Sequence, residues 1–147
     1  MKLEVGMYVR TRNYIDVPSR IAKIEEIRYE NFETLIFLDT YDYRDNNDIR
    51  ADEIIKASFE PIDLIEVGDI AIIEYYVPRY RKRITRRFEC DLLKCDEDEY
   101  VIFNNKYCSW WYGKNKYKWV NVNGYNPKII SVITKEQFES MSYKVGE

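Results

Sequence analysis

Short runs of alternating apolar and polar residues, rich in isoleucine, tyrosine, phenylalanine and threonine, recur along this chain between polar turns. A period of two residues is typical of β-strands with one buried face. Four such runs occupy the first half of the chain, at residues 8–12, 21–28, 34–39 and 54–57. Six occupy the second half, at residues 70–76, 83–94, 100–104, 107–112, 117–122 and 128–133. The pattern therefore predicts an all-β protein.

Helix and turn signals are few and local. Gln137 follows Thr134 by three residues, which is the spacing of a capping box at a helix N-terminus. The sequence therefore predicts one short C-terminal helix after Thr134, and a single helical turn at residues 61–65. Asn123-Gly124 predicts a hairpin turn, because both residues tolerate the positive φ of a type I′ turn.

Two short segments recur in the same order along the chain. Glu4-Val5-Gly6-Met7 matches Glu66-Val67-Gly68-Asp69, and IIKAS at residues 54–58 parallels IISVI at residues 129–133. A shared order indicates two related units. Units of short strands opened by Val-Gly are typical of SH3-like barrels, in which the glycine eases a tight bend. The prediction is two tandem small SH3-like barrels, an acidic one at residues 1–66 and an enlarged one at 67–147 that ends in the helix.

Two segments of the chain resemble parts of small uncharacterised phage- and prophage-type proteins of low-GC Gram-positive bacteria. They are ADEIIKASFEPIDLIEVGD at residues 51–69 and IISVITKEQFESMSYKV at residues 129–145. In those proteins a DLIEVGD element similarly precedes a variable β region, and a TKEQFES element closes the chain. The resemblance covers about 36 of the 147 residues and brings no catalytic motif. It implies a phage or prophage origin.

Charge is unevenly distributed, although the net charge is only −3. Residues 1–68 hold nine basic and fifteen acidic side chains, giving −6, whereas residues 69–147 hold fourteen and eleven, giving +3. Residues 75–88 contain six cations and no acid, and the stretch 89–99 that follows is strongly acidic. Such patterning favours recognition of a charged partner, the alternative being chance clustering of surface charge.

Catalytic and metal-binding residues are scarce. The chain has no histidine, no glycine-rich phosphate loop and no recognisable nucleophile setting, so we predict a protein that is not an enzyme and needs no cofactor. The cysteines Cys90, Cys95 and Cys108 are an odd number, which favours free thiols in the cytosol over disulfides. A zinc site would need a carboxylate such as Asp91 or Asp96 as its fourth ligand, and we predict none.

The first residues, MKLEVGMYVRT, lack the features of a signal peptide, and the longest apolar stretches are too short to cross a bilayer. We therefore expect a soluble protein of the cytoplasm, in the host cell if it is phage-encoded, with no membrane partner.

Two segments combine cations with aromatic rings and form the predicted partner-binding surface. The first is YYVPRYRKRITRR at residues 75–87, and the second is the hairpin at residues 107–119, which contains WWYGKNKYKW. The candidate residues are Arg79, Tyr80, Arg81, Lys82, Arg83, Arg86, Arg87, Trp110, Trp111, Tyr112, Lys114, Lys116, Tyr117, Lys118 and Trp119. Alternation along residues 117–122 predicts that Tyr117 and Trp119 are exposed and that Val120 and Val122 are buried.

The function that follows is a non-enzymatic binding protein. Small phage proteins without catalytic residues commonly occupy the surface of a host protein, so the specific expectation is an anti-CRISPR-like inhibitor of a host defence protein. A nucleic-acid-binding defence factor is one candidate for that host protein. The alternative is a nucleic-acid-binding accessory protein, in which bases stack on the rings and phosphates pair with the cations. The negative net charge weighs against that alternative.

Overall fold

A computed structural model describes residues 2–40, 47–116, 118–124 and 126–145, with side chains as far as residue 140. The protein is mostly β, with two antiparallel sheets, one of them curled into a half-barrel, and one short C-terminal helix. The predicted β class and C-terminal helix are therefore confirmed. The chain divides into two compact units, Met1–Leu64 with Glu139–Glu147, and Ile65–Phe138.

The first unit contains a five-stranded antiparallel sheet. Its strands are β1 (Tyr8–Thr11), β2 (Ile21–Glu30), β3 (Glu33–Leu38), β4 (Asp48–Arg50) and β5 (Ile54–Ser58). The strand order is β4-β3-β2-β1-β5, so the chain meanders through four strands and then returns to pair β5 with β1. Short 3₁₀ turns occupy Ala51–Glu53 and Pro61–Leu64, and the second confirms the helical turn predicted there. Strand β4 was not predicted, because three residues are too few to show alternation.

The core of the first unit follows the alternation read from the sequence. The residues that form it are buried and apolar: Val9, Ala22, Ile24, Ile36, Leu38, Ile49 and Ile54. A charged exception is Arg10, which is fully buried and whose Nη1 donates a hydrogen bond to the carbonyl oxygen of Leu64 at 3.0 Å. This bond links β1 to the 3₁₀ turn that ends the unit.

The second unit contains a six-stranded antiparallel sheet and the start of the helix. The strands are β6 (Ile70–Val77), β7 (Lys82–Cys95), β8 (Asp98–Asn104), β9 (Ser109–Asn115), β10 (Lys118–Asn121) and β11 (Lys128–Ile133), and α1 spans Lys135–Val145. The strand order is β10-β9-β8-β7-β6-β11. The last strand therefore pairs with the first strand of the unit, as β5 pairs with β1.

The hairpin predicted at Asn123-Gly124 is wrong. Gly124 does adopt a positive φ of 83°, but the strands on either side of it are not hydrogen-bonded partners. Strand β10 pairs with β9, whereas β11 crosses to pair with β6. Asn123 does not adopt a positive φ, so the type I′ turn does not form either, and the strand pairing depends on the whole sheet.

The segments that repeat in sequence make the same backbone hydrogen bonds within their own units. The Gly6 N–H donates to the carbonyl of Ile24 at 2.9 Å, and the Gly68 N–H donates to the carbonyl of Cys90 at 3.1 Å. The carbonyl of the residue after each glycine accepts a bond from that same partner residue, at 2.8 and 2.9 Å. The two glycines have φ values of +95° and +94°, a region that glycine enters without steric cost. This geometry explains why Val-Gly recurs.

A β-bulge also recurs at the same register. Between β1 and β5 the pairing skips Ile55, and between β6 and β11 it skips Ile130. In each unit the bulge lies at the third step from the start of the first strand, and the skipped isoleucine is exposed. Bulges are specific local features, so a shared bulge strengthens the evidence that the two units are related.

The helix begins where the capping box was predicted. The Thr134 N–H donates to Gln137 Oε1 at 3.0 Å, and the Gln137 N–H donates to Thr134 Oγ1 at 3.1 Å. Asp69, which is fully buried, accepts from the Lys135 N–H at 2.9 Å and from the Glu66 N–H at 2.8 Å. One carboxylate thereby joins the Val-Gly turn to the helix N-terminus.

Candidate binding surface

The basic stretch at residues 75–87 forms a hydrogen-bonded hairpin made by β6 and β7. Val77 pairs with Lys82 at its end, and two backbone bonds close the turn, from Tyr80 to Val77 at 3.0 Å and from Arg81 to Pro78 at 3.1 Å. Arg81 adopts a positive φ of 53°, which reverses the chain. The turn therefore holds its side chains on a fixed backbone and does not form an irregular loop.

Three cations at this tip point into solvent. Arg79, Arg81 and Lys82 are exposed, and Tyr80 between them is 50% exposed. Within residues 2–40, 47–116, 118–124 and 126–140, no carboxylate forms an ion pair with any of the three. They are consequently available to an external anion. We call this set, residues 79–82, the arginine tip.

The arginines farther along β7 are held by neighbours. Arg83 lies 3.0 Å from Glu74 Oε1 and also donates to the carbonyl of Asn126 at 3.1 Å. Arg86 donates from Nη1 to Tyr75 Oη at 2.9 Å, and its guanidinium lies 3.8 Å from the centre of the Tyr107 ring. These contacts hold both guanidinium groups in place and occupy hydrogen-bond donors that a partner would otherwise use.

Arg87 is exposed and lies 5.6 Å from the centre of the Phe138 ring, so it is held less tightly than Arg86. The prediction grouped Arg83, Arg86 and Arg87 with the cations of the tip, but the structure separates them by their partners.

The Arg86–Tyr107 stack was not foreseen from the sequence. Tyr107 is 59% exposed, and Lys106 also lies near its ring, at 5.1 Å. The stack forms because the β8–β9 loop folds back beside β7, where the Asn105 side chain donates to the carbonyl of Arg87 at 3.2 Å. No local pattern marks a contact between residues that are 21 positions apart, so only the fold reveals it.

The aromatic hairpin lies mainly in the core on its inner face. Trp110 and Tyr112 are 6% and 7% exposed. The Trp110 ring lies 5.1 Å from Tyr75 and the Tyr112 ring lies 5.6 Å from Phe103, both edge to face. These predicted site residues are therefore core residues, and their rings have no free face for a base. Trp111, on the opposite face, is half-buried against Tyr100 at 5.8 Å.

The prediction that Val120 and Val122 are buried is wrong. Val120 is 44% exposed and Val122 is 59% exposed. Strand β10 pairs Val120 with Gly113 and Trp119 with Lys114, which places Trp119 on the inner face of the sheet. Trp119 is half-buried, with the Lys114 ammonium 5.4 Å from its ring, so it is less exposed than expected. Tyr117 lies outside the described residues.

The two candidate segments touch where Arg86 stacks on Tyr107 and Tyr75 packs on Trp110, but their exposed ends lie toward opposite ends of β7. The arginine tip ends at Lys82, the first residue of β7, whereas the β9–β10 turn lies near the other end, where Tyr100 pairs with both Leu93 and Gly113. At ~3.3 Å per residue, the length of β7 corresponds to a contour of about 43 Å. The exposed ends of the two segments therefore do not form one continuous surface.

The β9–β10 turn, which carries Lys114, Lys116 and Lys118 on or beside it, has acidic neighbours. A groove there is lined by Glu97, Asp98 and Glu99 together with Lys114 and Lys116. Lys118 is exposed on the adjoining edge strand. Opposite charges in one groove weaken its attraction for phosphate, whereas no carboxylate among the described residues forms an ion pair with the arginine tip.

Burial also shifts the pKa values of titratable groups near Arg86. Burial raises the pKa of Cys108 and also raises the pKa of Tyr75, in spite of the opposing effect of Arg86 on both. A raised thiol pKa disfavours the thiolate that a nucleophilic cysteine requires. Burial alone raises the pKa of Tyr112 to about 12. These groups are neutral and structural near pH 7.

Metal ligands do not cluster in the part of the chain that the structure describes, where no group of three or more cysteine, aspartate or glutamate side chains could hold an ion. Cys90 is buried, Cys95 exposed and Cys108 half-buried, all three as free thiols. No helix among the described residues is sufficiently long and apolar to span a membrane.

Comparison with known proteins found no matching family model, no matching curated protein and no matching solved structure.

Proposed function

We propose that this protein is a non-enzymatic binding protein whose arginine tip docks on an acidic surface of a protein partner. The observation that carries the proposal is the set of three exposed cations, Arg79, Arg81 and Lys82, held on a closed hairpin turn without ion-pair partners among the described residues. A preorganised turn loses little conformational entropy on binding, and arginine is enriched in protein interfaces.

The proposed architecture is two tandem SH3-like barrels. Three features of the units support it: a meander whose last strand returns to the first, a recurring bulge in that last pair, and a recurring Val-Gly turn. In the first unit a 3₁₀ turn precedes the last strand. The division proposed from the sequence, residues 1–66 and 67–147, follows the same repeat.

A protein partner is favoured over single-stranded nucleic acid by the state of the rings. Stacking needs exposed ring faces next to free cations. Trp110 and Tyr112 are buried, one face of Tyr107 carries Arg86, and Lys114 lies over Trp119. Tyr80 lies within the arginine tip and Tyr76 lies opposite Arg83 beside it, so the exposed rings near these cations are tyrosines and not the tryptophans that the sequence suggested.

The specific form of the proposal is a phage-encoded, anti-CRISPR-like inhibitor that occupies a host defence protein in the cytoplasm. It is supported by the resemblance of the DLIEVGD and TKEQFES elements to phage-type proteins. An acidic patch on a nucleic-acid-binding host factor would suit the arginine tip electrostatically.

The test compares two charge-reversal variants. Tagged wild-type protein and the triple variant Arg79→Glu, Arg81→Glu, Lys82→Glu are used to capture partners from a lysate of the source host. The matched control is Lys114→Glu, Lys116→Glu, Lys118→Glu, which also reverses three positive charges but toward the other end of β7. We expect the first variant to lose the partner and the control to keep it. Equal capture by all three proteins would contradict the proposal.

A parallel measurement addresses nucleic acid. We expect little binding of a fluorescein-labelled single-stranded oligonucleotide at about 150 mM salt, and any binding at low salt should weaken steeply as salt rises. Sub-micromolar affinity at that salt concentration would instead support the nucleic-acid-binding accessory protein.

A further inference from the structure

The β2–β3 hairpin of the first unit ends in an unusual two-residue turn. Glu30 pairs with Glu33, so Asn31 and Phe32 alone form the loop. Both loop residues have positive φ, 50° and 64°, as a type I′ turn requires. Asparagine tolerates this region, but a bulky residue such as phenylalanine is a genuine outlier there. Glycine is the residue that this turn ordinarily takes at the second position.

Two further features of the same turn oppose stability. Phe32 is 111% exposed, so its ring buries no surface that would offset the strain. Glu30 and Glu33 lie directly opposite each other, and like charges in that position are destabilising. Glu33 forms an ion pair with Arg50 Nη2 at 3.5 Å, but both side chains are more than half exposed, and such pairs contribute little. Local sequence that opposes the fold at several points in one turn is characteristic of a binding element.

The chemistry of this tip specifies its receptor. An aromatic ring at the end of a projecting hairpin is a typical interface anchor, and it needs an apolar pocket. The two flanking carboxylates need cations at the rim of that pocket.

A groove with this chemistry lies on the second unit of the same chain. Its apolar lining is Ile70, Phe88 and Phe138; Ile70 and Phe88 are buried core residues that form its floor, and Phe138, 38% exposed, offers the open apolar surface. Arg87 and Lys106 supply two exposed cations. The other lining residues are Glu89, Asn104 and Asn105, so the groove holds two cations and one carboxylate. Its net charge is opposite to that of the hairpin tip.

We propose that the Phe32 hairpin tip docks into the Arg87–Phe138 groove of a second copy of this chain. The net charges of the two halves of the chain are also opposite in sign, since residues 1–68 carry −6 and residues 69–147 carry +3. Tip and groove are different surfaces, so the contact that one copy makes with the next is heterologous. This contact does not use the arginine tip and is therefore independent of the proposed function.

The first experiment is sedimentation equilibrium of the purified full chain. We expect the weight-average mass to rise with protein concentration over about 5–500 µM, and to fall when salt is raised from about 50 to 500 mM. Phe32→Gly should weaken self-association by at least about tenfold and also raise the melting temperature, because glycine relieves the left-handed strain. Ile15→Ser, which alters another fully exposed apolar residue of the first unit, should change neither quantity appreciably.

The second experiment mixes two defective variants. Phe32→Gly retains the groove and Arg87→Glu retains the tip, so each alone should self-associate at least about tenfold more weakly than wild type, but their mixture should form heterodimers through the one intact contact. A monomeric wild-type protein at about 500 µM would overturn the proposal, as would a Phe32→Gly variant that associates like wild type. A mixture that stays monomeric although wild type associates would show that the copies meet elsewhere, which also overturns it.

Discussion

Trp110 provides the sharpest test of which face of the second sheet is the core. It is 6% exposed and packs edge to face on Tyr75 at 5.1 Å, whereas Val120, on the opposite face, is 44% exposed. Truncating a buried tryptophan costs about 3–5 kcal/mol, part of which is the ~0.5–1.5 kcal/mol of its aromatic pair. Val120→Ala removes about two carbons that are already half in water, so its cost should be below about 1 kcal/mol.

Guanidinium denaturation followed by far-ultraviolet circular dichroism measures both free energies of unfolding without relying on tryptophan fluorescence. We expect the midpoint of Trp110→Ala to fall strongly with an unchanged slope, and that of Val120→Ala to stay close to wild type. If Val120→Ala cost more than about 2 kcal/mol while Trp110→Ala were nearly neutral, the assignment of inner and outer faces would be reversed.

A third variant isolates the indole N–H. Trp110 Nε1 is buried without a hydrogen-bond acceptor among the described protein atoms. Trp110→Phe loses apolar volume but also removes this donor, whose burial costs about 1–3 kcal/mol. The two effects oppose each other, so Trp110→Phe should lie within about 1 kcal/mol of wild type. A loss as large as that of Trp110→Ala would refute the reasoning, because it would require the N–H to have an acceptor.

Two further predictions concern a buried carboxylate and a buried phenol. Asp69→Ala should destabilise the protein by about 2–4 kcal/mol in the same denaturation assay, because the N–H groups of Glu66 and Lys135 lose their acceptor, whereas the exposed Asp91→Ala serves as a near-neutral control. The pKa of Tyr112 is raised by burial from 10.0 to about 12, so the folded state keeps its proton while the unfolded state loses it. The contribution of Tyr112 to the free energy of unfolding is fully present below pH 10 and is lost as pH rises through about 12. The denaturation midpoint of wild type should therefore fall more steeply between pH 10 and about 12 than that of Tyr112→Phe. Equal slopes would show that Tyr112 titrates as an exposed tyrosine does.

The sequence by itself determined which local elements form. Alternation located ten of the eleven strands in the described part of the chain, because a half-buried strand must alternate whatever it pairs with. The capping box at Thr134 and the positive φ at Gly6 and Gly68 are equally local, since they depend on side chains and backbone within a few residues. The repeated Val-Gly segments were visible for the same reason.

The register and order of the strands were decided only by the tertiary structure. Whether Val120 or Trp119 faces inward depends on the register of β10 against β9, and a shift of one residue exchanges the faces. Strand pairing also places the β9–β10 turn and the arginine tip at opposite ends of β7, although we predicted from the sequence that they form one basic and aromatic surface. Register and strand order minimise the energy of the whole sheet and leave no mark in a short segment, so the elements could be read from the chain but their arrangement into surfaces could not.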